Sequence, residues 1–219
     1  MKEGDFIQID YVGKITENGE IFDLTKESSA KENGIYNPKL SYKPVPVIIG
    51  ANFLLKGLEN GLKEMKIGER KKITIRPEEG FGERSPKLIK LIPISEFKKQ
   101  KTDPYPGMII TINNIHGKIL SVSGGRVRVD FNHPLSGKTL EYDVEIKEEI
   151  SSNIEKIKAV LEFFLKSEEN IDVSLENEIA EIKTKKGDVP KEVKKTIADT
   201  ILKWVSNTKK IRFVQEYEQ

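Results

Sequence analysis

Hydrophobic and polar positions alternate along FIQIDYVGK, Phe6 to Lys14, which predicts a strand with Ile7, Ile9 and Tyr11 on one face. Asn18-Gly19 follows, a strong short hairpin signal, and Ile21, Phe22 and Asp23 lie on the return strand. Leu24 to Lys43 is polar and is expected to be a surface loop with at most one helical turn. The stretch from Val45 to Met65 organises what comes next. Val45, Val47 and Ile49 alternate as a strand, a glycine ends it, and Leu55, Leu58, Leu62 and Met65 recur at helical spacing. Gly57 and Gly61 lie on or beside that helix, where each costs roughly 1 kcal/mol against alanine. Such a cost implies a neighbour packed too closely to admit a side chain.

KKITIRP, Lys71 to Pro77, reads as another strand, and EEGFGER sets Phe81 between two glycines in a loop. Leu88 to Phe97 is apolar although Pro93 interrupts it. MIITI (108–112), KILSV (118–122) and RVRVDF (126–131) read as strands, the last two joined at Ser123-Gly124-Gly125. Leu140, Tyr142, Val144 and Ile146 alternate as a strand that would complete the first sheet, which leaves residues 85–131 as an inserted β-rich module of about 45 residues, small for an independent core. Beyond Ile150, Ser152 and Glu155 form a capping-box pattern for a helix with Ile154, Ile157, Val160, Leu161 and Phe164. Two strands, a helix opened by Asp188 and Pro190, and a final strand with Ile211, Phe213, Gln215 and Tyr217 on one face complete an α-β-β-α-β order.

Composition narrows the chemistry. The 37 basic and 35 acidic residues leave a formal charge of +2, which gives no electrostatic case for a nucleic-acid protein. With no cysteine there is no disulfide and no thiolate chemistry, and with only His116 and His133 a histidine metal site is not expected; no metal or other cofactor is assigned. MKEGDFIQIDYVGK lacks the apolar core of a signal peptide, and no apolar run approaches the roughly 18 residues of a membrane span. The expectation is a cytoplasmic protein that meets neither membrane nor nucleic acid.

Tyr11-Val12-Gly13, Gly19-Glu20-Ile21-Phe22-Asp23, Ile49-Gly50, Leu55-Lys56-Gly57-Leu58-Glu59 and Phe81-Gly82 together resemble the FKBP-type peptidyl-prolyl isomerases. Asn132-His133-Pro134-Leu135-Ser136-Gly137-Lys138 with Leu140 is similar to the signature of the SlyD-type branch, in which an insert-in-flap chaperone domain interrupts the barrel. The C-terminal part resembles the extra domain of the longer archaeal members. The resemblance implies an α+β fold: an FKBP-like antiparallel half-barrel around a short helix, formed by residues 1–84 plus 132–150. It further implies an inserted small β-rich domain at 85–131, and a C-terminal α+β domain at 151–219.

By motif position it also implies a proline-binding cleft of Tyr11, Phe22, Asp23, Leu55, Phe81 and Tyr142, with Val45, Leu54 and Leu58 as further substrate contacts. Leu58 stands where many relatives have tryptophan, Phe81 where tyrosine is common, and Val45 where the wall is often aromatic. In this picture the Leu55 N–H holds a substrate carbonyl, while Asp23 and Tyr11 orient at the rim. Leu88, Ile89, Ile92, Phe97 and Ile110 are candidates for binding unfolded chains, although the same run could be module core. The expected partners are unfolded or nascent polypeptides containing proline, and a homodimer through the C-terminal domain is open because a terminal strand is a pairing edge. The alternatives are a non-catalytic holdase chaperone and, less in keeping with the charge balance, an RNA-binding barrel.

Overall fold

The computed structural model describes residues 1–165, 171–184 and 189–215. Two compact units emerge, Met1–Ile75 with Leu140–Gln219, and Arg76–Thr139.

In the first unit, β1 (Phe6–Ile15), β2 (Ile21–Leu24), α1 (Glu27–Glu32), β3 (Val45–Ile48), α2 (Lys56–Lys63) and β4 (Arg70–Ile75) follow in order. In the second, β5 (Ile89–Pro93), α3 (Ile94–Lys99), β6 (Ile109–Ile112), β7 (Ile115–Ser123) and β8 (Arg126–Asp130) follow. The chain then returns to the first unit with β9 (Leu140–Glu149), α4 (Asn153–Leu165), β10 (Ile171–Glu176), β11 (Ile179–Thr184), α5 (Lys191–Trp204) and β12 (Lys210–Gln215).

The main sheet of the first unit is antiparallel, in the order β2-β1-β9-β4, and β3 continues the β2 side of β1. Thus β9 pairs with both β1 and β4, the completing role that its alternation predicts. The helix α2 buries Leu58 and Leu62. A Cβ built on Gly61 would stand 2.4 Å from Ile73 Cδ1 on β4, which accounts for a glycine inside a helix.

The three-stranded sheet β10-β11-β12 belongs to the same unit. Its hairpin turns at Asn177-Glu178, both at positive φ, while β11 and β12 run parallel and are joined through α5. Ala180 and Ile182 of β11 form one cluster with Ile157 and Val160 of α4, Ile197 and Ile201 of α5, Phe6 of β1, Ile48 of β3 and Ile150. The compact units divide at 75/76 and 139/140, and this apolar cluster crosses position 150. Tyr217, Lys185, Lys186 and Asp188 lie outside the described residues.

The second unit is an antiparallel sheet in the order β5-β8-β7-β6, with Phe97 of α3 packed on Ile119, Val127 and Val129. Pro93 closes the edge strand β5 and caps α3, so its missing N–H interrupts no ladder. β7 starts at Ile115, earlier than its apolar run suggests, because Asn113-Asn114 makes a two-residue turn at φ 50° and 63°.

Candidate functional site

Gly13 is the seat of the site in the first unit. Across the ladder it faces Asp23 of β2 on one side and Tyr142 of β9 on the other. The register slips between Gly13 and Lys14, so β2 carries one extra residue at this point. A bulge of this kind re-aims a side chain, and here the Phe22 ring folds over Gly13: a Cβ on that glycine would lie 2.8 Å from Phe22 Cζ. Tyr11, two residues along β1, shares the face. Its ring is 5.5 Å from that of Tyr142, tilted at 55°, and Phe22 meets Tyr142 edge-on at 5.6 Å. The Tyr11 hydroxyl donates to Asp23 Oδ2 at 2.7 Å.

Burial, then the Asp23 charge and this hydrogen bond, push the Tyr11 hydroxyl far above the ordinary phenol range. Burial and the same carboxylate do likewise for Tyr142. Both phenols therefore stay protonated at any physiological pH, and the face presents neutral aromatic edges with one carboxylate at the rim.

Val45 pairs with Ile9, two residues from Tyr11 on β1, and is half-buried. Leu54 and Leu55 are half-buried in the turn before α2. Leu55 is the N-cap of that helix at φ −60° and ψ 142°; its N–H is one of the four that a helix leaves without an internal partner. Leu58, expected as the cleft floor, is only 2% exposed, because helical spacing turns it with Leu62 into the core. Phe81 belongs to the second unit, where its ring stacks on His133 at 4.3 Å and 2° and its carbonyl accepts the Ser136 hydroxyl. His133 thus has a packing partner, and among the described residues no cluster of acidic or histidine side chains could hold a metal ion.

The second unit also carries an apolar groove of about 220 Å³ between α3 and β6. Ile92, Phe97, Met108, Ile110 and Ile112 line it, with Glu96 and Gln100 among its polar members. Phe97, expected among the client contacts, is 7% exposed and is chiefly core: a helix laid on one sheet face must bury its largest side chain there. Leu88 is exposed, whereas Ile89, Ile92 and Ile110 are half-buried. Leu91 and Ile109, both 62% exposed, are not among the residues the sequence singles out; strand alternation opposite the half-buried Ile92 and Ile110 is the signal that finds them. At the base of this unit Arg84 pairs with Asp130, and Ser85 and Asn132 exchange hydrogen bonds of 2.8 and 3.0 Å. Burial alone would raise the Asp130 carboxyl, but the Asn132 donors and Arg84 outweigh it and hold it below the carboxylate range.

Comparison with known proteins agrees with this architecture. The family model described as FKBP26, IF domain, matches residues 90–135. The short-type peptidyl-prolyl cis-trans isomerase of Methanocaldococcus jannaschii is 37% identical over 148 residues, 68% of this chain and 93% of that protein. An FKBP-type 16 kDa peptidyl-prolyl cis-trans isomerase of Escherichia coli is 32% identical over 131 residues, 58% of this chain and 82% of the relative. The SlyD isomerase of Helicobacter pylori is 32% identical over 126 residues, 55% and 68% respectively.

Proposed function

Since the chain belongs to the FKBP-type peptidyl-prolyl cis-trans isomerases, in the SlyD-like branch with an insert-in-flap domain, we propose that it catalyses rotation about X–Pro bonds at the face around Gly13 and holds unfolded chains on its insert. The division of labour follows the sequence: residues 1–84 plus 132–150 isomerise, 85–131 bind clients, and 151–219 support.

The gathering of Tyr11, Phe22, Asp23 and Tyr142 around a glycine seat supports the isomerase role most directly. The uncatalysed rotation faces a barrier of about 18–20 kcal/mol and needs no nucleophile or acid–base pair. Twisting the amide breaks its resonance and leaves a less polar bond, so an apolar aromatic face favours the twisted state over the planar one that water solvates. A prolyl ring on the Tyr11–Phe22–Tyr142 face, with a substrate carbonyl on the Leu55 N–H, meets that requirement. A thousandfold acceleration needs only about 4 kcal/mol of differential stabilisation. Val45, Leu54 and Leu58 shape the pocket.

An exchange assay on a proline tetrapeptide tests this. Wild-type chain should exceed the uncatalysed rate by at least a hundredfold, with Asp23→Ala and Tyr142→Ala each losing about tenfold or more. A wild-type rate equal to the background removes the isomerase and leaves the holdase.

For clients, the groove beside β6 and the exposed Leu91, Ile109 and Leu88 support binding of apolar unfolded segments. Ile109→Lys with Leu91→Lys should weaken capture of an unfolded protein severalfold without changing tetrapeptide isomerisation. Because Ser85 and Asn132 lie within hydrogen-bond distance, residues 85–131 can be excised and the ends joined; isomerisation of a short peptide should survive and client holding should collapse. The compartment we propose is the cytoplasm, where nascent chains are met; among the described residues no helix is long and apolar enough to cross a membrane. The edge strand β12 supports a homodimer through the C-terminal sheet, which light scattering of the full chain tests: a monomer mass at micromolar concentration rejects it.

A further inference from the structure

We infer that Phe163 of α4 is a positioning residue for the isomerase site, acting through a ring stack that fixes the turn carrying Leu54 and Leu55. The inference rests on the isomerase function proposed above for that turn. Phe163 and Phe53 lie nearly parallel, 10° apart with centroids at 3.8 Å. Phe164 meets both rings edge-on, at 5.8 Å from Phe53 and 5.4 Å from Phe163. Phe53 immediately precedes Leu54 and the Leu55 N-cap of α2.

The start of the turn is held by backbone bonds: Gly4 N–H to the Ile49 carbonyl at 2.8 Å, Ile49 N–H to Asp5 at 3.0 Å, and Ala51 N–H to Ile48 at 3.2 Å. Next comes Asn52 at φ 58°, a left-handed residue that the surroundings must hold in place. Phe53, directly after it, is the aromatic tie to α4. A second tie runs beside it, where Lys43, just before β3, pairs with Glu162 at 2.7 Å. The turn is thus clamped by a helix whose own sequence contains none of the site residues. A misplacement of about 1 Å in a catalytic donor can cost on the order of a hundredfold in rate, so a clamp at this point is felt in catalysis.

The test uses the full chain. Phe163→Ala should lower kcat/KM for a proline tetrapeptide about tenfold, and Phe163→Tyr, which keeps the ring, should restore it. Hydrogen exchange of the Ala51 and Glu59 amides, whose bonds to the Ile48 and Leu55 carbonyls flank the turn, should accelerate about tenfold in Phe163→Ala. Ile201→Val serves as the control, since Ile201 is buried in the core cluster against which Phe53 and Phe164 pack but is no member of the ring stack. It should lower the melting temperature yet leave both readouts unchanged. Should Phe163→Ala not fold, Phe163→Leu takes its place. Retention of kcat/KM and amide protection within twofold overturns the inference, as does an equal loss in Ile201→Val. If wild-type chain fails to isomerise, the function proposed above fails separately; amide exchange alone then decides the clamp, and unchanged protection in Phe163→Ala overturns it.

Discussion

Gly13 shows how much one missing side chain can arrange. Phe22, Tyr142 and Asp23 converge on it from two neighbouring strands, and the Phe22 ring occupies the volume a Cβ would need. Gly13→Ala should therefore push Phe22 off its seat and lower kcat/KM about tenfold, more in KM than in kcat, with the fold retained by circular dichroism. The two phenols, Tyr142 buried and Tyr11 half-buried, make a second prediction. In the folded chain their hydroxyls release protons only far above the ordinary value near pH 10, whereas the unfolded chain releases them there. Above about pH 10 the unfolded state then binds fewer protons than the native one, and stability must fall as pH rises. Thermal melts should show that decline, and Tyr11→Phe with Tyr142→Phe should flatten it. Activity should carry no ionisation of either phenol between pH 6 and about pH 9.

Among the elements, α2 depends on a second close approach. Gly61→Ala places a methyl group against the buried Ile73 and should cost about 1–3 kcal/mol in a urea titration, although alanine is the better helix former. The outcome separates packing from propensity. In the insert unit, the Arg84–Asp130–Asn132 group ties the two segments that begin and end the module. Its carboxyl stays ionised below the usual range, so the unfolded chain takes up the proton first as pH falls. The module should lose stability below about pH 4, and Asp130→Asn should remove that dependence. In the first unit Asp143 behaves alike: the bidentate Arg70 bonds of 2.7 and 2.6 Å lower its pKa against the opposing effect of burial.

At the scale of the whole chain, the C-terminal helices and sheet share a core with the barrel strands β1 and β3. Phe6 and Ile48 are 1% and 2% exposed within a cluster built largely from residues beyond 150. Cutting the chain at 150 would open those side chains to water, at roughly 1.5–3 kcal/mol for each large apolar group exposed. A 1–150 fragment should therefore melt well below the full chain, and the first unit of the full chain should unfold in a single transition with denaturant. Two separated transitions within that unit would contradict the shared core.

Periodicity and turn chemistry, both local, were enough to determine the order of the longer elements, the hairpins at Asn18-Gly19 and Gly124-Gly125, and the return of β9 to the first sheet; β5 and α3 lie in the apolar run that Pro93 interrupts, which neither signal assigns. They also marked Gly61 as a close-packed position and, through matched motifs, the family. What the tertiary structure alone decided is what each apolar face packs against. Alternation says that Ile92 and Leu91 point opposite ways but not which is covered, so Phe97 proved core while Leu91 and Ile109 stayed exposed. The slipped register that gathers Phe22 and Asp23 at Gly13, and the stack of Phe53 on Phe163 across more than a hundred residues, leave no periodic trace, because both arise from pairings between distant segments.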